Sequence, residues 1–262
     1  MIRLSSSSIG EAEKQAVMGV LDREFLGMGQ EVQQFEEVLT KFFGRPTVCV
    51  VNGTAALQLA LQAIGIGDSD EVLVQSLTYV SSFQAISATG ALPVACDINE
   101  ETYLLDLVDA EKRITKNTKA IMPVHYTGGV GDLNVIYEFA NKYNLKVIED
   151  AAHAFGTTFN NKRVGSFGDI VCFSFDGIKN ITSGEGGAIL TNDIELDRKI
   201  RLLRSHGMTR TEAELGNNDG PWFYEMQQLG YNYRITDMQC ALGSSQLKKL
   251  DRFIEKRRHI AK

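Results

Sequence analysis

The chain has 262 residues, of which 44% are hydrophobic and 23% are charged, so it is long enough to bury a substantial core. Its formal net charge of −6 leaves no basic footprint for nucleic acid, and we expect no nucleic-acid partner. No apolar run reaches the roughly 20 residues that a membrane-spanning helix needs, so we expect no membrane partner.

The cysteines give no sign of a metal site. Cys49, Cys96, Cys172 and Cys240 stand singly rather than in CxxC pairs, and three of them lie in apolar runs typical of strands. Residues 1–10 are polar and serine-rich, without the apolar core of a signal peptide. We therefore expect a cytoplasmic protein with reduced thiols and no bound metal.

Seven short apolar runs, rich in β-branched residues, predict strands. They are Thr47–Val51, Glu71–Gln75, Leu92–Asp97, Ala120–Val124, Leu145–Glu149, Asp169–Phe175 and Gly187–Thr191. Several of these runs are apolar at consecutive positions, as strands are when helices cover both faces of a parallel sheet.

Helical patterns alternate with these strands, for example at Thr54–Ile64 and Asp132–Tyr143. The alternation predicts an α/β fold with a mostly parallel central sheet flanked by helices. From about Thr236 to Lys262 the apolar positions follow a helical period, and such a helix would be roughly 40 Å long. We expect it to bridge to a second domain; a terminal docking helix is the alternative.

The segment Asn52 to Leu57 is a candidate anion site. A strand ends, Gly53 turns the chain, and a helix begins with Thr54 at or near its N-cap. Free backbone N–H groups and the positive end of the helix dipole would favour a phosphate there. The alternative is a well-capped helix with no ligand.

Two further strand ends carry polar side chains. Asp150 follows a predicted strand at the carboxyl edge of the sheet, where ligands of open α/β sheets bind, although it could equally cap the next helix. His153 lies three residues on and could be structural. Lys179 stands in a loop between two apolar strands, where an unpaired ammonium is costly, unless the loop is simply exposed.

In this combination the chain resembles the DegT/DnrJ/EryC1/StrS family of sugar aminotransferases, which are fold-type I pyridoxal-phosphate enzymes. The matching stretches are Phe25–Gly27, Asn52–Leu57, Glu149–His153, Phe173–Gly187 and Leu229–Gly243. The resemblance implies a cofactor-binding large domain over residues 1–235. An interdomain helix over 236–262 would then lead towards a small C-terminal domain that is absent from the sequence given.

The resemblance also implies roles around the ring of pyridoxal 5′-phosphate. Lys179 would hold the cofactor as a Schiff base and then shuttle protons. Asp150 would bind the pyridine nitrogen, Tyr79 would stack on the ring, and His153 would lie beside the 3-hydroxyl group.

Other matching residues would hold the cofactor's phosphate. Thr54, Ser174 and the backbone of Gly53 and Ala55 would bind it within one subunit. Asn232 matches the asparagine that reaches the phosphate of the neighbouring subunit, which implies a homodimer with shared active sites.

The implied reaction moves an amino group, with glutamate as the expected donor, to a nucleotide-linked keto sugar of the 4-keto-6-deoxyhexose type. Such a product would serve a surface polysaccharide or glycoconjugate. Two alternatives stay open: a cofactor-dependent sugar dehydratase, whose family has histidine in place of Lys179, and a non-enzymatic regulatory protein of the same fold. Gly129-Val130-Gly131 departs from the family's usual glutamine or proline.

Overall fold

The computed structural model describes residues 5–209, 215, 220 and 222–262, and its centre is a seven-stranded sheet. The strands of the described residues are β1 Thr47–Val50, β2 Glu71–Gln75, β3 Leu92–Cys96, β4 Thr118–Met122, β5 Lys146–Asp150, β6 Thr158–Phe159, β7 Lys162–Arg163, β8 Ile170–Ser174, β9 Gly187–Thr191, β10 Met208–Thr209 and β11 Glu225–Met226. All seven predicted strands form, and their bounds differ from the predicted ones by two residues or fewer.

Helices cover both faces of the sheet. They are α1 Glu11–Asp22, α2 Gln30–Phe43, α3 Gly53–Ala63, α4 Val80–Ser87, α5 Leu107–Lys112, α6 Leu133–Tyr143, α7 Ile194–Arg204, α8 Asp237–Leu247 and α9 Leu250–Ala261, with a 3₁₀ turn at Tyr126–Gly128. None of the helices in the described part of the chain is both long and apolar enough to cross a membrane.

The direction of the strands decides where a site can form. The sheet has the order β1-β9-β8-β5-β4-β2-β3, and only β9 runs antiparallel to its neighbours. The other six strands share one direction, so their carboxyl ends meet at one edge. The predicted α/β fold with a mostly parallel sheet is confirmed, and this edge is where such sheets bind ligands.

Successive side chains of β1 pack into hydrophobic cores on opposite faces of the sheet. On β1, Val48 and Val50 pack into the cluster that contains Leu59 of α3, whereas Cys49 packs with Phe35 of α2. All five side chains are almost fully buried. Successive side chains of a strand point to opposite faces of the sheet, so a strand that is apolar at every position must be covered on both faces.

The predicted single helix from Thr236 to Lys262 is wrong in one respect, because two helices form. α8 ends at Leu247, Lys248 and Lys249 form a turn, and α9 begins at Leu250. The ammonium of Lys249 donates to Glu13 Oε2 of α1 at 2.6 Å. This pairing with α1 accompanies the break, although neither glycine nor proline is present.

Glu13 is a buried carboxylate that joins the first helix to the break between α8 and α9. It is 1% exposed and accepts hydrogen bonds from Gly10, Ser245, Gln246 and Lys249. Burial by itself raises the pKa of Glu13, but these hydrogen bonds outweigh it and lower the pKa to about 2.

Candidate active site

A cavity of about 740 Å³ opens at the edge where the six strands end. Its size lies within the range of small-molecule sites, which is roughly 300–1,000 Å³. Among its lining residues are seven of the predicted site residues: Gly53, Thr54, Tyr79, Asp150, His153, Ser174 and Lys179. Two predicted residues, Ala55 and Asn232, are not among them.

The amino end of α3 forms one wall of the cavity. Thr54 lies near the N-cap as predicted, and the cap itself is Asn52, whose Oδ1 accepts from the Ala55 amide at 2.8 Å. The Ala55 N–H donates to Asn52, and the phosphate contact predicted for Ala55 stays a prediction. Within the described residues, the N–H groups of Gly53 and Thr54 keep no protein acceptor and lie at the positive end of the helix.

Position 53 requires glycine because Ser174 lies too close for a side chain there. A Cβ atom added at Gly53 would lie 2.9 Å from Ser174 Cβ, inside normal contact distance. Ser174 ends β8 and lies with its hydroxyl beside the amino end of α3. A similar approach occurs at Gly187, where an added Cβ would lie 2.5 Å from Asn52 O. These contacts bring hydroxyl and amide donors to one point.

Asp150 is held at the end of β5 by two hydrogen bonds. It is 4% exposed; Oδ2 accepts from Ser82 Oγ at 2.8 Å, and Oδ1 accepts from the Ala152 amide at 3.2 Å. Ser82 belongs to α4 and was not predicted as a site residue. Ser82 is one of three serines in this short helix, and nothing in the sequence distinguishes it from the other two.

Lys179 lies in the loop that follows β8, and it is partly buried. Burial lowers the pKa of its ammonium, and the nearby charges of Asp176 and Asp150 offset only part of that shift. A lowered pKa leaves more of the amine unprotonated, and an unprotonated amine can attack a carbonyl carbon and carry protons.

The imidazole ring of His153 favours its neutral form. Burial and the charge of Lys179 lower its pKa, and Asp150 opposes the shift only in part. The Thr127 amide donates to His153 Nδ1 at 3.3 Å, so Nδ1 is the acceptor. The proton of the neutral ring therefore resides on Nε2, which can donate.

Tyr79 borders the cavity from the amino end of α4. It is the N-cap residue of that helix and is 71% exposed, because its ring stands at the cavity rather than in a core. Two carboxylates that sequence reasoning did not assign to the site, Asp176 and Glu185, also line the cavity. Burial, followed by the charge of Asp176, raises the pKa of Glu185.

Asn232 lies outside the cavity lining. Its side chain is exposed, and its backbone forms an isolated antiparallel bridge with Ser205. The role predicted for it concerns a neighbouring subunit, so the geometry of a single chain does not test that role.

A comparison of the whole sequence with protein families gives a match that agrees with this site. The DegT/DnrJ/EryC1/StrS aminotransferase family matches residues 7–262. The chain belongs to this family. The resemblance inferred from the motifs is thereby confirmed, as are the enzyme class of the family and pyridoxal phosphate as its cofactor.

Relatives within the family carry names from carbohydrate biosynthesis. The chain is 44% identical to the spore coat polysaccharide biosynthesis protein SpsC of Bacillus subtilis over 97% of its own length and 65% of that protein's. It is 41% identical to GDP-perosamine synthase of Caulobacter vibrioides over 99% of its length and 68% of that protein's.

Solved structures of the family have the same fold. The Streptococcus pneumoniae protein Spr1654 in its PLP form superposes with a TM-score of 0.92 at 30% identity, over 99% of this chain and 69% of that one. The same protein in its PMP form also gives a TM-score of 0.92. The chain thus spans about two thirds of the length of the family members it matches.

Proposed function

We propose that this chain is the cofactor-binding part of a pyridoxal-phosphate-dependent aminotransferase acting on a nucleotide-linked keto sugar. The observation that carries the proposal is a shared cavity: an amine with a lowered pKa, Lys179, and a nearly buried carboxylate, Asp150, line it together with the amino end of α3. Groups with shifted pKa values that converge in one cavity, here Lys179, His153 and Glu185, are typical of a catalytic site.

The residues present fit pyridoxal phosphate. The N–H groups of Gly53 and Thr54, with the hydroxyls of Thr54 and Ser174, form a donor set suited to a phosphate. Asp150 offers a carboxylate to a cationic ring nitrogen, and Lys179 offers an amine to an aldehyde. Each chemical requirement of the cofactor has a matching group on the same cavity.

When bound, pyridoxal phosphate supplies the electron sink that amino transfer requires. Asp150 would hold a proton on the ring nitrogen by offering it a negative charge. Lys179 provides the amine that holds the cofactor and afterwards moves protons at the reacting carbon. Tyr79 would cover one face of the ring, and His153, whose Nδ1 accepts from Thr127, would offer its Nε2–H to the 3-oxygen.

The substrate and the amino donor belong to the proposal too. We infer a keto sugar of the 4-keto-6-deoxyhexose type, glutamate as the donor, and a product used in a surface polysaccharide or glycoconjugate. The relatives named for perosamine synthesis and spore coat polysaccharide support this class of substrate. Lysine at position 179 disfavours the dehydratase alternative, which requires histidine there.

Assembly completes the proposed site. We infer a homodimer in which the exposed Asn232 of one subunit reaches the phosphate of the other, as the family resemblance implies. We also keep the division into a cofactor-binding domain, residues 1–235, and an interdomain segment, 236–262, as a proposal. Every residue that lines the cavity lies in the first of these two parts.

The test uses the chain with added pyridoxal phosphate. A visible absorption band, trapped covalently by borohydride, is expected for the wild type and for the exposed-lysine control Lys116→Ala, but not for Lys179→Ala. Glutamate should then bleach the band, and a keto-sugar nucleotide should restore it. Trapping that survives in Lys179→Ala would contradict the proposal. A band that no amino donor bleaches would favour the regulatory alternative.

A further inference from the structure

A chain of hydroxyl groups lies behind the Asp150 carboxylate. Thr78 Oγ1 and Ser82 Oγ are 2.7 Å apart, and Ser82 Oγ donates to Asp150 Oδ2 at 2.8 Å. Ser82 is completely buried, and Thr78 lines the cavity. The chain therefore leads from the cavity wall to the carboxylate through a side chain without access to water.

The direction of these hydrogen bonds is fixed by chemistry. A carboxylate only accepts, so the hydrogen of the Ser82 hydroxyl points at Asp150. The Ser82 oxygen must then accept from Thr78, and the Thr78 hydroxyl is the donor of that bond. Both donors point towards the carboxylate, and each bond polarises the next.

We propose that Ser82 is a positioning residue that orients the Asp150 carboxylate towards the cofactor's ring nitrogen, with Thr78 aligning Ser82. With the Ala152 amide on Oδ1 and Ser82 on Oδ2, the carboxylate cannot rotate freely about its side chain. Fixed orientation matters because the hydrogen bond between the carboxylate and a protonated ring nitrogen is strong only when its atoms are aligned. The inference rests on the proposed function.

The same helical turn also presents Tyr79. Tyr79 is the N-cap of α4, and its carbonyl accepts from the Ser82 amide at 3.2 Å. The turn thus fixes the positions of Tyr79, proposed to cover the ring, and of Ser82, proposed to orient Asp150. One short helix, α4, controls two of the contacts that the cofactor would make.

The experiment measures the dissociation constant of pyridoxal phosphate and the visible circular dichroism of the bound cofactor in the full chain. Ser82→Ala should weaken binding on the order of tenfold and change the dichroic band, because a hydrogen bond to a charged group is lost. Thr78→Val should act in the same direction with a smaller loss. Ser87→Ala, an exposed serine of the same helix, is the matched control and should leave both readouts unchanged.

A double-mutant cycle with Asp150→Asn separates positioning from packing. If Ser82 acts through Asp150, Ser82→Ala should cost about twofold or less once Asp150 is already asparagine. Equal losses in both backgrounds, or an unchanged constant and spectrum in Ser82→Ala, would overturn the inference. If Ser82→Ala does not fold, Thr78→Val takes its place in the cycle. Wild-type protein that binds no pyridoxal phosphate would instead overturn the proposed function.

Discussion

Glu149 and Asp150 are consecutive residues of β5 whose carboxylates lie on opposite faces of the sheet. Glu149 accepts from the Tyr137 hydroxyl at 2.5 Å and lies 2.7 Å from His125 Nε2, whereas Asp150 bonds to Ser82 beside the cavity. Successive side chains of a strand alternate in this way. One carboxylate therefore ties α6 to the sheet, and the other faces the proposed cofactor.

Removing the structural carboxylate should destabilise the fold. In Glu149→Ala, His125 and Tyr137 lose their buried partner, and we expect a loss of about 3 kcal/mol in the free energy of unfolding. Urea denaturation monitored by circular dichroism measures this loss. Glu138→Ala, an exposed glutamate of α6, should cost less than about 0.5 kcal/mol. Equal midpoints for the two variants would contradict the assigned role.

The charge of Asp176 should set how readily Lys179 reacts. Asp176 raises the pKa of Lys179, so Asp176→Asn should lower that pKa further and increase the fraction of free amine at neutral pH. The rate of covalent capture of pyridoxal phosphate, measured as a function of pH, should then rise at a lower pH than in the wild type. Asp22→Asn, at the exposed end of α1, should leave the profile unchanged. A shift towards higher pH would refute this electrostatic coupling.

A methyl group at Gly53 should weaken phosphate binding. In Gly53→Ala the new Cβ meets Ser174 Cβ at 2.9 Å, which forces the amino end of α3 away from β8. We expect affinity for pyridoxal phosphate to fall on the order of tenfold, because the donors of the two elements separate. Gly27→Ala, with no neighbouring atom within 4 Å of the new Cβ, is the matched control in equilibrium dialysis. Unchanged affinity in Gly53→Ala would place the phosphate elsewhere.

Shared active sites make a distinctive prediction for mixtures of variants. Lys179→Ala and Asn232→Ala should each be nearly inactive, but a heterodimer contains one site with both residues intact. Co-expressed or subunit-exchanged mixtures should therefore recover up to about one quarter of wild-type amino transfer, since half of random dimers are mixed and each restores one of two sites. Mixtures that stay inactive, or a monomer with full cofactor affinity, would exclude a shared site.

The sequence predicted the positions of the site better than its internal contacts. Asp150 and Lys179 were found because each follows an apolar strand, and strands of one direction end at one edge of a sheet. The bond from Ser82 to Asp150 spans 68 residues, and a local pattern does not encode it. The pattern located the start of α3 but not its cap residue, because Asn52 and Thr54 both suit an N-cap and only backbone geometry distinguishes them.

The break between α8 and α9 could not be predicted either, because it accompanies a contact between residues far apart in the sequence. Lys249 lies in the turn between the two helices and bonds to Glu13, a residue 236 positions earlier in the chain. Helical periodicity continues through this point, so the pattern alone favours one helix.

The contact between α1 and α8 also has a consequence for biosynthesis. Glu13 leaves the ribosome early, but its partners Ser245, Gln246 and Lys249 are translated near the end of this sequence. We therefore expect Glu13 to stay hydrated until residues 245–249 have been synthesised. A ribosome stalled before residue 245 should display a nascent chain whose amino-terminal segment is open to proteases, and synthesis of α8 and α9 should close it.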